Sequence, residues 1–133
     1  MDNSKTPNAE ELADLKGKLY PEVKLYFSNG KRFLGPGRYA LLVMVQKTGS
    51  LRNACFEIGI SYSKGLKIIK TAEAQLGFPV VRKKRGGASG GATVLTENGE
   101  RLLTLYESFT KESQQLVLDA FEKCFDQLFG GKD

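Results

Sequence analysis

Two stop-and-start signals, ten residues apart, constrain this chain more than any other feature: Thr48-Gly49-Ser50 and Gly59-Ile60-Ser61. In each, a glycine suited to ending a helix stands just ahead of a serine suited to capping the next one. The stretch between them, LRNACFEIG, holds only about two helical turns, with Leu51, Ala54, Cys55 and Ile58 on one face. Upstream, Pro36 is placed where a first helical turn has no need of its N–H. A helix is expected from Gly37 to Lys47, with Leu41, Leu42, Met44 and Val45 inward. Downstream, Ser61 caps YSKGLKIIKTAEAQLG, where Tyr62, Leu66, Ile69 and Leu76 follow a 3.6-residue period and are expected to face the core. Helix, short helix, tight turn and helix make a helix-turn-helix.

The flanking segments extend this plan. In VKLYFSNGKRFLGPG, Val23, Leu25 and Phe27 alternate with polar residues and Asn29-Gly30 supplies a hairpin turn, so an N-terminal β-hairpin is expected. FPVVRKKRGGASGGATVLT reads as a second hairpin: Val80 and Val81 enter, Thr93, Val94 and Leu95 return, and a Gly, Ala and Ser tip is expected to be mobile. Thr96 then caps a helix that runs to Phe129 without proline and with Gly99 as its one glycine, about 50 Å at 1.5 Å per residue. The expected fold is mainly α (α+β): a winged helix-turn-helix over 19–96 with an N-terminal β-hairpin and a Gly-rich wing, and a long C-terminal dimerisation helix over 97–129. Residues 1–18, polar apart from an acidic turn at Glu10, Glu11 and Asp14, are expected to be a flexible arm, and 130–133 a disordered tail.

Charge is distributed unevenly along these elements. The chain of 133 residues carries a net charge of +5; segment 16–60 holds +6 and 61–101 holds +5, while the acidic ends hold −3 each. Clustered cations gain free energy by displacing counterions from phosphates, so double-stranded DNA is the expected partner. With Tyr62, Leu66, Ile69 and Leu76 inward, the third helix turns Ser61, Ser63, Lys64, Lys67, Lys70 and Thr71 outward, donors suited to phosphates and major-groove base edges. Ser50 and Arg52, at the start of the preceding helix, join them. Arg82, Lys83, Lys84 and Arg85 stand in a row on the wing, where mutual repulsion favours meeting an anion. The expected docking places residues 61–76 in the major groove and the wing, 82–92, on the backbone or minor groove. The competing explanations are an ordinary solvated lysine face and a solvated loop. A nucleotide P-loop does not fit, because Gly91 leads into Ala92-Thr93 and a strand rather than a Gly-Lys-Ser/Thr helix start.

The composition narrows function further. There is no histidine, which removes histidine-based triads and metal sites, and no nucleophile–base pair stands out, so an enzyme is not expected. Cys55 and Cys124, each among apolar residues at helical spacing, read as two reduced core thiols. The N-terminus has no apolar run, so a cytoplasmic address and no membrane are expected; separately, no cofactor and no small-molecule site are expected, because no residue pattern suggests one. A helix of about 50 Å exceeds a domain whose radius of gyration is near 13 Å, and its distal half needs a partner. A homodimer through Leu105, Phe109, Leu116, Val117, Phe121, Cys124, Phe125 and Leu128 would cover it; folding back onto its own domain is the alternative.

From Val23 to about Tyr106 the chain resembles the N-terminal DNA-binding domain of the molybdate-responsive ModE regulators, close to the LysR-type winged helix-turn-helix. The resemblance rests on Phe33-Leu34-Gly35-Pro36-Gly37-Arg38 with Leu41 and Leu42, on Thr48-Gly49-Ser50-Leu51, and on Gly59-Ile60-Ser61-Tyr62. It continues in Arg85-Gly86-Gly87 through Gly90-Gly91-Ala92, Val94-Leu95-Thr96 and Gly99. It implies a homodimeric transcription regulator with Ser61, Ser63, Lys64 and Lys67 near DNA and Arg82 to Arg85 on the wing. Gly65-Leu66 stands where relatives often carry Ala-Trp, which is expected to loosen the helix by about 1 kcal/mol. The match ends before the oxyanion-binding domains of full regulators. Molybdate sensing is therefore not implied, and a stand-alone DNA-binding domain is expected. The alternative function is a protein-interaction or scaffolding module that uses the apolar C-terminal helix.

Overall fold

A computed structural model of the chain describes residues 5–85 and 92–130; the glycine-rich tip expected to be mobile and the last three residues of the expected tail lie outside the described residues. The described elements are α1 (Ala9–Lys18), β1 (Phe27–Ser28), β2 (Arg32–Leu34), α2 (Pro36–Thr48), α3 (Leu51–Ile58), α4 (Tyr62–Leu76), β3 (Val81–Lys84), β4 (Ala92–Leu95) and α5 (Glu97–Phe129). The fold is mainly α, with two separate two-stranded antiparallel sheets. No described helix is long and apolar enough to cross a membrane. The chain divides into one unit of residues 24–109 and another of 1–23 with 110–133.

In the 24–109 unit the capping signals act as their chemistry dictates. Ser50 Oγ accepts from the Asn53 N–H at 3.0 Å and Ser61 Oγ from the Lys64 N–H at 3.1 Å, while Gly49, Gly59 and Gly77 close α2, α3 and α4 at φ of +70°, +78° and +83°. Leu41, Leu42 and Val45 of α2 and Leu51, Ala54 and Cys55 of α3 are buried; Met44 and Ile58 are half-buried at the edge of the same core. Phe33, Leu34, Val80, Leu95, Leu102, Leu103 and Tyr106 complete it.

The N-terminal hairpin is shorter than the alternation of Val23, Leu25 and Phe27 predicts. Only Phe27 and Ser28 pair with β2, with Phe27 opposite Leu34. The Leu25 carbonyl instead accepts from Tyr106 Oη at 2.9 Å, and the Phe27 ring packs edge-on against Tyr106 at 5.3 Å. Long-range packing thus takes up backbone that a ladder would otherwise use.

The inward stripe of α4 also departs from expectation. Gly65, Ile69 and Ala72 are its buried residues, while Tyr62, Leu66 and Leu76 are half-buried at the margins. The reason is Gly65: with no side chain it lets α4 close onto α3, so that a Cβ built there would fall far inside van der Waals contact with Cys55 Sγ. Small residues, rather than the larger Tyr62 and Leu66, set the contact line. Gly99 serves a similar purpose at the start of α5, where a Cβ would strike the Val80 carbonyl. Thr96 N donates to that carbonyl at 2.9 Å, and Thr96 Oγ1 caps α5 by accepting from Gly99 N at 2.9 Å.

In the other unit, the stretch expected to be part of a flexible arm forms α1. Asn8 and Glu11 make a reciprocal capping box, with glutamates in the first turn, lysines in the last and an Asp14–Lys18 ion pair at 3.1 Å. Lys16 Nζ reaches Asp126 Oδ1 of α5 at 2.7 Å. Phe125 is buried between ring contacts with Phe121 and Phe129. Cys124, expected in the core, is exposed: one position from Phe125, it is turned about 100° around the helix from the buried side.

Candidate nucleic-acid interface

The geometry of α4 follows from its cap and its stripe. Ser61 fixes the first turn through Lys64 N, and burial of Gly65, Ile69 and Ala72 leaves Ser63, Lys64, Lys67 and Lys70 exposed along one side, with Thr71 half-buried beside them. Ser61 and Ser50 are occupied as N-caps; Ser50 is half-buried. Arg52 lies with its guanidinium 4.3 Å over the Tyr62 ring, which holds a cation beside the first turn of α4.

The described part of the basic hairpin is a regular antiparallel ribbon, with Arg82 opposite Val94, Lys83 opposite Thr93 and Lys84 opposite Ala92. These cross-strand neighbours include no carboxylate, and Arg82, Lys83, Lys84 and Arg85 are all exposed. Alternation along β3 sends Arg82 and Lys84 to one face and Lys83 to the other. The ribbon is anchored at its base: Thr93 N donates to the Gly49 carbonyl at 2.8 Å, and Glu73 Oε2 of α4 accepts from Val80 N at 2.9 Å.

Four ion pairs occur among the described residues: Lys5–Glu11, Lys16–Asp126, Lys18–Asp14 and Arg101–Glu97. None uses a cation of α4 or the basic hairpin, so no described carboxylate neutralises these charges. Sequence reasoning missed Arg38. This half-buried residue of the first turn of α2 lines, with Ser63, Lys64, Lys67 and Thr71, a depression of about 500 Å³. A signal was present, since a cation in the first turn of a helix opposes the helix dipole and is better placed beside an external anion.

The residues expected at a dimer contact divide. Leu105 and Phe109 in the first unit, and Leu116, Cys124 and Leu128 in the second, are exposed; Val117 and Phe121 are half-buried, and Phe125 is already covered within the single chain. No group of three or more Cys, Asp or Glu side chains suited to a metal ion occurs among the described residues.

No family model matches the chain. It is 37% identical over 93 residues to the molybdenum-pterin-binding protein MopB of Rhodobacter capsulatus, covering 70% of this chain and 34% of that protein. It is 34% identical over 96 residues to the transcriptional regulator ModE of Yersinia pestis, 72% of this chain and 34% of that one. With the DNA-binding transcriptional dual regulator ModE of Escherichia coli K12 the figures are 32% over 98 residues, 74% and 34%. The chain thus spans about a third of the length of the curated relatives it matches, and these short alignments fit an N-terminal region of the longer proteins.

Proposed function

We propose, from the premise that this chain is a homologue of the ModE regulators and of the molybdenum-pterin-binding protein MopB over some 70% of its length, that it is a sequence-specific double-stranded DNA-binding transcription regulator. The observation that carries the reading is the exposed row Ser63, Lys64, Lys67 and Lys70 on α4, which has no carboxylate partner among the described residues. In this reading α3 and α4 form a helix-turn-helix, with α4 as the recognition helix in the major groove. The ribbon β3–β4 is the wing, with Arg82, Lys83, Lys84 and Arg85 on the backbone or in the minor groove. Ser50 and Ser61 act first as caps, and their N-terminal turns present N–H groups toward phosphates. Arg52, steadied on Tyr62, adds a backbone contact.

The reading includes a homodimer. Leu116 is 64% exposed and Leu128 78% exposed on α5, and a two-fold partner would cover such side chains. Two recognition helices would then address half-sites about one or more helical turns apart. Selection of bound duplexes from a random pool tests both parts together. An enriched palindrome supports specificity and symmetry, whereas a pool that stays random contradicts sequence-specific regulation.

A further inference from the structure

The basic surface does not stop at α4. Between the N-terminal hairpin and the first turn of α2 lies a second depression, about 360 Å³, lined by Lys24, Tyr26, Arg32 and Arg38 with the Gly35–Gly37 backbone; its described lining carries three cations and no carboxylate. Two of these cations are held in place. The Arg32 guanidinium stacks 4.0 Å over the Tyr26 ring, and Arg38 Nη1 donates to the Arg32 carbonyl at 3.0 Å. Tyr26 in turn lies so close to Gly35 that a Cβ there would approach its ring to 2.5 Å. Lys24 and Arg32 are exposed, and neither they nor Arg38 enter an ion pair among the described residues.

Arg38 is shared between this depression and the one it lines with Ser63, Lys64, Lys67 and Thr71. The cations therefore form one tract that leaves α4, crosses the first turn of α2 and ends on the hairpin. Three like charges gathered without a counter-charge repel one another unless an anion joins them, and the immobilisation of Arg32 and Arg38 lowers the entropy cost of meeting it. We infer that Lys24, Arg32 and Arg38 form a second phosphate-contacting surface that grips the DNA backbone flanking the segment met by α4. An extended polyanion fits better than a small free anion, because the charges come from two elements and continue into the α4 face, and a duplex offers a charge about every 1.7 Å of its axis. The inference rests on the DNA-binding reading above and deepens it.

The test measures binding of the full chain to a fluorescein-labelled random-sequence duplex as salt is raised. Removing one cation from the phosphate backbone should reduce the slope of log affinity against log salt by about 0.9. K24A/R32A, which keeps the backbone acceptor of the Arg38 hydrogen bond, should lower the slope by about two, and R38A added to it by about one more. Lys47→Ala, at the far end of α2, should leave the slope unchanged. A wild-type slope in K24A/R32A, with circular dichroism unchanged, overturns the inference while leaving the α4 reading intact. Competition by inorganic phosphate beyond that of chloride at equal ionic strength, abolished in K24A/R32A, would assign the depression to a free anion and also overturn it. A wild type whose affinity ignores salt would overturn the DNA reading and this extension together.

Discussion

Gly65 of α4 lies against the sulfur of Cys55 in α3, so close that a Cβ at position 65 would overlap it. The contact brings the two helices together and leaves Lys64 and Lys67 outward on the face away from the buried glycine.

Gly65→Ala should therefore destabilise the protein even though alanine is the better helix former. Overpacking a closed contact costs about 1–3 kcal/mol, against about 1 kcal/mol gained in helix propensity. In urea denaturation G65A should be less stable than wild type by up to about 2 kcal/mol. Combined with Cys55→Ala, which removes the sulfur, most of the added cost should vanish. Equal effects of G65A with and without Cys55 would refute the packing account.

What the sequence revealed and what it hid follow from the range of the interactions. Ser50, Ser61, Thr96 and the closing glycines act on neighbours three or four residues away, so the element order and the α4 face were legible from local spacing. The bond from Tyr106 to the Leu25 carbonyl and the Lys16–Asp126 pair join residues far apart in the chain, and the Gly65–Cys55 contact, though nearer in sequence, joins two separate helices. No local pattern encodes them. For that reason local spacing assigns the α4 stripe to its larger side chains and makes the first hairpin too long. α1 is a different case: Asn8 and Glu11 stood at capping-box spacing and were legible. Arg38 carries a local signal, a cation in a first helical turn, but its place beside Lys64 depends on the tertiary placement of α2 and α4.

Tyr39 provides a pH signature. Its hydroxyl donates to Glu107, and burial, then that hydrogen bond and the glutamate charge, push it up to about 12 from 10.0. The folded state holds this proton more tightly than the unfolded chain does. Its contribution is fully present below pH 10.0 and is lost as pH rises from there toward about 12. Melting temperature should decline less steeply over that window in Tyr39→Phe than in wild type, apart from any destabilisation of about 0.5–1.5 kcal/mol at neutral pH from the missing hydrogen bond. Parallel declines would contradict the assignment.

The two thiols should separate by reactivity. Cys55 is 1% exposed and burial pushes its thiol up, whereas Cys124 is exposed. In the Leu116→Glu, Leu128→Glu chain, where α5 is uncovered, a chromogenic disulfide reagent at neutral pH should titrate one thiol at once, a signal absent when Cys124→Ser is added, and the second only on unfolding. Rapid reaction of both in the folded protein would contradict the packing of α3 on α4.

Leu116 and Leu128 test the proposed dimer. Leu116→Glu with Leu128→Glu should halve the mass seen by light scattering, with helical content retained because both side chains are exposed in the single chain. A wild-type mass in the folded double variant would remove α5 from the dimer contact.

The central claim is that exposed cations on α4 and the basic hairpin lie against DNA phosphates, and the most direct measurement is the affinity of wild type, Lys64→Ala and Arg85→Ala for one duplex from low to high salt. Wild-type affinity should fall by orders of magnitude, with each variant weaker at low salt and its slope reduced by about 0.9. A flat wild-type response, or variants indistinguishable from wild type at every salt concentration, would contradict the account.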